Sequence, residues 1–270
     1  MLLAVHRKAS RLAVMGDLGR YPLAIKAMSQ CINYRACLAS KPADSMAGLA
    51  MAEMQSMAGQ GQDCWLARVD KMAELLNLPV IRFSKTSGKK TTSIVQSYFD
   101  RFWLDQIKSS RVGADGLTHN KLSTYSSVKA FFGREPYIDL VKNRNQRCQL
   151  SRLRVSAHRL ECELGMYKRP LVPRDQRFCR YCPPQPGLDG LAVRPVDTEC
   201  HCLTECQVGQ DERVVLYRDI SSKNSRFSSL CNADKFKVLV CSSNPSDCKA
   251  VNRFFDRQCQ IRAKIDRGEI

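Results

Sequence analysis

Cys179 and Cys182 stand as a Cys-x2-Cys pair, and after an eighteen-residue loop His201 and Cys206 follow as His-x4-Cys. Those residue types at that spacing have the arithmetic of a zinc site. Two close-set thiolates at the tip of a turn present half a tetrahedron, and a second His/Cys pair on another turn completes it. The first pair is flanked by turn-forming sequence, and Pro183 and Pro184 fix the path of the chain after the second thiol. Cys200 and Cys202 flank His201 and can substitute for it, so the third ligand stays open among the three. Idle thiols and a surface histidine are the alternative, and ligand pairs this closely spaced favour the metal.

Nothing else in the chain has the pattern of a catalytic centre. The scattered Ser, His and Asp residues form no nucleophile elbow, no phosphate-cradling glycine loop and no His-Glu-x-x-His helix. Four protein ligands at structural spacing leave no position for water or substrate, which predicts a closed, folding-linked zinc ion. The expectation is a protein that is not an enzyme and takes no small-molecule substrate.

The elements that must position these ligands read as helices. Ala24, Met28, Cys31, Tyr34 and Leu38 follow at helical spacing and stop before Lys41-Pro42. Met46, Met51, Met54 and Met57 make a methionine-rich core helix the expected next element. Asp63 can cap a helix carrying Trp65, Val69, Met72 and Leu76. Residues 84–90 form a polar, basic linker, a helix with Val95, Phe99 and Trp103 follows, and 109–120 is a second loop. Beyond Cys206, residues 211–220 read as a helix, 227–240 as one or two short helices, and a last helix after Asn244-Pro245 carries Val251, Phe254, Phe255, Cys259 and Ile261.

Residues 137–165 are the basic heart of the chain, with no acidic residue between Asp139 and Glu161. Read as one helix capped by Gly165, the segment shares Leu150, Leu153, Ala157, Leu160 and Leu164 on a single face. Arg144, Arg147, Arg154 and His158 then cluster on one flank, and Arg152 and Arg159 on the other. Lys168, Arg169, Arg174, Arg177 and Arg180 carry the charge on into the Cys/His module. A solvated helix face normally mixes signs, so this one-signed array predicts contact with RNA or DNA phosphates. Phe178 and Tyr181 beside the thiols offer stacking surfaces for unpaired bases.

Composition points the same way. The 270 residues are 44% hydrophobic, enough for one large domain or two small ones, and 43 basic against 26 acidic residues leave a net charge of +17. Such an imbalance concerns partners: nucleic acid first, an anionic membrane second. No stretch approaches the ~18 apolar residues of a membrane span, and the basic helix has leucines where an interfacial helix has large aromatics. Leu2-Leu3-Ala4-Val5 is too short for a signal peptide. Fourteen cysteines are then expected to be reduced, in a nuclear or cytoplasmic protein that is not secreted. Most of them, Cys31, Cys37, Cys64, Cys148, Cys162, Cys231, Cys241, Cys248 and Cys259, are expected as small core residues.

Several segments resemble animal non-LTR (LINE-type) retrotransposon polyproteins. Val5-His6-Arg7-Lys8-Ala9-Ser10 and the stretch from Gly16-Asp17-Leu18-Gly19 to Leu23 look like the segment after the polymerase domain. Lys121 to Tyr125, Phe132 to Tyr137, Leu150 to Glu161, and Phe178 to Cys182 with Glu199, His201, Leu203 and Cys206 resemble the C-terminal part, in order. The resemblance implies the region downstream of the reverse transcriptase, which binds element RNA or target DNA and whose matching cysteines and histidine are zinc ligands. It begins at residue 5, lacks polymerase and endonuclease parts and any Asp-Asp pair, and matches poorly around Met46 to Met57. It therefore implies a truncated, retrotransposon-derived product. The competing expectation is a protein-interaction or scaffold module, or a functionless relic, in which zinc only staples the fold.

The predicted fold is mainly α: a bundle-like helical N-terminal part, a small zinc-stabilised hairpin module and C-terminal helices. The predicted regions are 1–83, resembling the post-polymerase segment; 84–120, linker and helix; 121–206, arginine-rich helix and zinc module; and 207–270, C-terminal helices.

Overall fold

The computed structural model describes residues 9–76, 88–109, 111–112, 118–119, 122–186 and 192–270. Of the segments singled out above, residues 1–8, 84–87, 110, 113–117, 120 and 121 lie outside the described residues. The fold is mainly α, in two compact units: Met1–Gly19 with Gln106–Ile270, and Arg20–Asp105. Regions 121–206 and 207–270 thus belong to one unit. Among the described residues no helix is long and apolar enough to cross a membrane.

The first helix, α1 (Arg11–Leu18), ends at Gly19, whose φ of 59° is left-handed. A Cβ there would lie 2.4 Å from the Arg134 backbone nitrogen. Glycine therefore serves both the helix stop and the close approach of a second chain segment.

The unit Arg20–Asp105 contains α2 (Leu23–Ala39), α3 (Met46–Gly59), α4 (Trp65–Leu75) and α5 (Gly88–Lys108) to Asp105. The buried face of α2 is Ile25, Ser29, Ile32, Arg35 and Leu38, one step round from the expected residues. Arg35 accounts for the rotation, because it turns inward to pair with Asp70 of α4. Of the α3 methionines Met51 is buried, while Met46 is 84% exposed. Helix α4 is capped by Cys64 rather than Asp63, whose carboxylate is taken by Arg68 at 2.8 Å.

In the other unit the strands β1 (Arg111–Val112) and β2 (Thr118–His119) pair antiparallel. The basic segment is not one helix. After α6 (Ser123–Val128), it forms α7 (Tyr137–Leu140), α8 (Arg144–Arg154) and α9 (Glu161–Leu164). The Asn143 side chain caps α8 by accepting the Gln146 N–H at 3.2 Å. The other end closes at Ser156, whose φ of 50° is left-handed, with the Ala157 N–H bonded to the Arg152 carbonyl at 2.8 Å. This turn, a Schellman-type C-cap, ends the helix where the apolar pattern alone ran on. Past it come the hairpin strands β3 (Gln185–Pro186) and β4 (Ala192–Val193), then α10 (Glu199–Thr204), α11 (Gln210–Ser221), α12 (Asn232–Cys241) and α13 (Pro245–Asp266).

Breaking the helix changes where its charges go. Arg154 lies four residues after Leu150 and therefore on the apolar face, and it is 1% exposed. Its guanidinium meets Asp17 at 3.3 Å and Glu135 at 2.8 Å and donates to the Val240 carbonyl at 2.7 Å. Tyr125 and Tyr137 donate their hydroxyls to the same Asp17, at 3.0 and 2.8 Å. Arg154 is a core residue joining α1, α8 and α12, and it does not face solvent as the helical wheel predicted. Removing one partner of a buried ion pair costs about 3–5 kcal/mol. Arg154→Ala should show a loss of that size in denaturant unfolding of the full chain, while exposed Arg159→Ala should stay within about 0.5 kcal/mol.

Candidate metal centre

The two halves of the Cys/His pattern sit on structures that the local sequence dictates. Cys179 follows a one-residue bridge between Phe178 and Val196, and its N–H donates to the Pro195 carbonyl at 2.7 Å. The chain turns through Cys182, and Pro183-Pro184 deliver it into the β3–β4 hairpin. The return strand ends at Thr198, whose hydroxyl caps α10 by accepting the His201 N–H at 3.0 Å. The cap starts the helix three residues before the imidazole and so aims it. Helix α10 stops within two turns, and the Cys206 N–H bonds back to the His201 carbonyl at 2.8 Å, bringing the last thiol beside the ring.

Cys179, Cys182, His201 and Cys206 converge, all four buried, with their ligand atoms within 4.8 Å of one another. The Sγ atoms of Cys182 and Cys179 lie 3.8 and 4.0 Å from that of Cys206, and His201 Nε2 lies 3.4 Å from Cys182 Sγ. A tetrahedron built on metal–sulfur bonds of about 2.3 Å has edges of about 3.8 Å. The donor set therefore has the size of a four-coordinate metal site, and it can hold a metal ion. His201 is the third ligand of the set. Cys200 points away to Thr204 and the Asn232 carbonyl, and Cys202 is buried elsewhere, on a different face of α10.

The shell behind the ligands is polar and charged. Nδ1 of His201 faces Glu205 at 3.5 Å, and the Gln207 N–H donates to Cys182 Sγ at 3.4 Å. From α13, Arg262 donates to Cys206 Sγ at 3.1 Å and reaches Cys179 Sγ at 3.9 Å. The hydrogen bond from Cys179 holds the Cys206 thiol down at about 3 against burial, with His201 and Arg262 adding to the effect. The same bond, together with burial, pushes Cys179 up. Arg213 of α11 donates to the Leu203 carbonyl at 3.1 Å and to the Cys206 carbonyl, closing the C-terminal end of α10.

A second grouping, His158, Cys162 and Glu199, is equally compact, but its imidazole and carboxylate are already engaged. Glu199 accepts from Ser156 at 2.7 Å and Thr124 at 2.8 Å, and meets His158 Nε2 at 2.9 Å. His158 Nδ1 accepts the Leu160 N–H at 3.3 Å, which leaves Nε2 to donate. Burial works against the charge on Glu199, yet the bonds from His158 and Ser156 prevail and hold its carboxyl at about 2. The grouping is a tether between the turn after α8 and the start of α10.

The residues expected to meet nucleic acid divide accordingly. His158 is withdrawn into that tether. Arg177 is 3% exposed because its side chain crosses Gly165, where a Cβ would lie 2.6 Å from its Cδ, and its Nε donates to the Val172 carbonyl at 2.9 Å. Gly165 is thus a crossing point; its φ of −60° is ordinary helix. The Tyr181 ring lies under the guanidiniums of Arg180 and Arg262, at 5.0 and 4.8 Å, and its hydroxyl donates to Asp266 at 3.0 Å, so it is engaged within the fold. Arg147, Arg152 and Arg174 are half-buried. Arg144, Arg159, Lys168, Arg169 and Arg180 are exposed, with Lys168 paired to Glu161 and Arg180 to Asp266, each at 2.6 Å. Asp197 and Arg262 escaped the sequence reading. Their signal was Gln258 and Arg262 at the buried spacing of Val251 and Phe255 on α13, polar residues where an apolar stripe should continue.

Set against protein-family models, curated proteins and solved structures, the chain matches none of them. The ligand assignment makes its own test. Cys179→Ser and Cys206→Ser should each abolish stoichiometric metal in the purified protein measured by elemental analysis, whereas Cys200→Ser should leave it intact.

Proposed function

We propose that the chain is a non-catalytic nucleic-acid-binding protein whose fold is held by one structural zinc ion on Cys179, Cys182, His201 and Cys206. Three thiolates and an imidazole at tetrahedral size suit a borderline-soft, redox-inert ion. All four ligands are buried, so the set has no open side for substrate. When bound, zinc would supply folding energy by joining the segment before the β3–β4 hairpin to the end of α10.

The observation that carries the binding reading is charge that the fold does not consume. Buried pairs such as Arg154 with Asp17 and Arg262 with Asp197 cancel within the sum, so the net charge of +17 lies on other residues. Lys142, Arg144, Arg159, Arg169 and Arg194 stay exposed in the unit that holds the metal centre. Such an excess attracts phosphates through counterion release without reading sequence. Of the two rings beside the thiols, Phe178 stays 38% exposed, where a base can stack on it. The motif order resembling the region downstream of LINE reverse transcriptases is in keeping with this reading and with a retrotransposon-derived origin. Reduced thiols and a nuclear or cytoplasmic location belong to the same proposal.

One observation favours a second reading, an interaction module. In the unit Arg20–Asp105 an open apolar groove of about 700 Å³ is lined by Tyr34, Leu38, Met46, Met54 and Trp65. A partner protein seated there would be lost on Met46→Glu, a change that should leave nucleic-acid affinity untouched.

The test is binding of the full chain to single-stranded RNA and duplex DNA across a salt series. If about five phosphates are neutralised, affinity falls roughly 500-fold between 50 and 200 mM salt. Arg144→Ala with Arg159→Ala should reduce the log–log salt slope by about 1.8, and a flat salt response in wild type would sink the proposal.

A further inference from the structure

Arg262 is an unusual neighbour for a metal site. It is 6% exposed, it comes from the distant helix α13, and it carries a full positive charge up to the sulfur atoms. Its NH2 group reaches Cys206 Sγ at 3.1 Å and Cys179 Sγ at 3.9 Å. The fork is held from behind by Asp197, which accepts NH1 at 3.0 Å and NH2 at 2.9 Å. Asp197 is itself aimed by the Glu161 N–H, which donates to it at 2.9 Å, and by its own N–H on the Arg177 carbonyl at 2.9 Å. The Tyr181 ring, 4.8 Å from the guanidinium, covers it.

Three thiolates around a divalent ion leave one surplus negative charge, and a buried charge needs an answering one. A guanidinium hydrogen-bonded to the thiolates, though it shares its charge with Asp197, offsets part of that surplus and draws electron density from the sulfurs. The planar fork can hold a carboxylate with one edge while a nitrogen meets sulfur, which a lysine ammonium cannot reproduce. We infer that Arg262, oriented by Asp197, is the positioning residue of the metal centre: it lowers the electron density on the Cys206 and Cys179 sulfurs, and by offsetting part of the surplus charge that the buried set would otherwise carry alone it sets how firmly the ion is held. This rests on the zinc reading above, and the experiment separates the two.

The full chain is loaded with Co²⁺, whose thiolate-to-metal charge-transfer band reports the donor energy of the sulfurs, and affinity is measured by chelator competition. Wild type should form the band. Arg262→Met should shift it to lower energy and weaken metal affinity about 10–100-fold, as loss of an outer-shell partner does. Arg262→Lys, which keeps the charge and loses the fork, should fall between them. A residue that only packs would leave the band in place, so an unchanged band and affinity in Arg262→Met overturns the inference while the metal centre stands. Absence of any thiolate–cobalt band in wild type overturns both. Should circular dichroism show Arg262→Met unfolded, Arg262→Lys carries the test by the same two readings, an unshifted band again counting against the clamp.

Discussion

The unit that carries the Cys/His cluster depends on one carboxylate. Asp197 receives two N–H groups of Arg262 from α13 and the first N–H of α9, while its backbone bonds Arg177 and Cys162 on either side. Its neighbour Thr198 starts the helix that carries His201. A displaced Asp197 would leave Arg262 buried without an acid, free the start of α9, and unseat the strand that brings Cys179 to the other ligands. Desolvated charges tolerate little error in position, because water is not there to compensate. That intolerance makes the hub specific as well as stabilising.

A second centre of the same kind organises the far side of the unit. Arg154 gathers Asp17, Glu135 and the Val240 carbonyl from three separate stretches of chain. Both centres use arginine, whose fork can satisfy several acceptors at once. Between them runs the Glu199 tether, which ties the left-handed Ser156 and the imidazole of His158 to the start of α10. The three sites link α1, α8, α10 and α13 through buried polar contacts, and they restrict the packings available to leucine-rich helices.

The parts legible in the sequence were those fixed by short spacing. The ligand pairs, the start of α13 after Asn244 and the extent of α2 rest on residues within a few positions of one another, where periodicity and turn chemistry act. Arg154 could not be placed in that way. Its wheel position put it beside the leucines, but of its two acid partners Asp17 lies 137 residues earlier and Glu135 lies outside the helix. A one-signed run looks solvent-facing until the acids that neutralise it are located. Ser156 was hidden for a related reason: a left-handed serine has no local signature, and it is Glu199, 43 residues on, that holds its hydroxyl. Hydrophobic residues at helical spacing do not say which side is covered: of the α3 methionines Met51, Met54 and Met57 pack on the core and Met46 does not.

Arg262 lies 56 residues beyond Cys206, the ligand it contacts most closely. At synthesis rates of about 5–20 residues per second, roughly 3–11 s separate the last ligand from the arginine that answers its charge. During that interval the nascent chain carries a complete set of thiols with no guanidinium beside them. The centre is then at its most exposed to oxidants and to competing soft metals, so its vulnerability is greatest at birth, a matter of timing that the finished fold conceals.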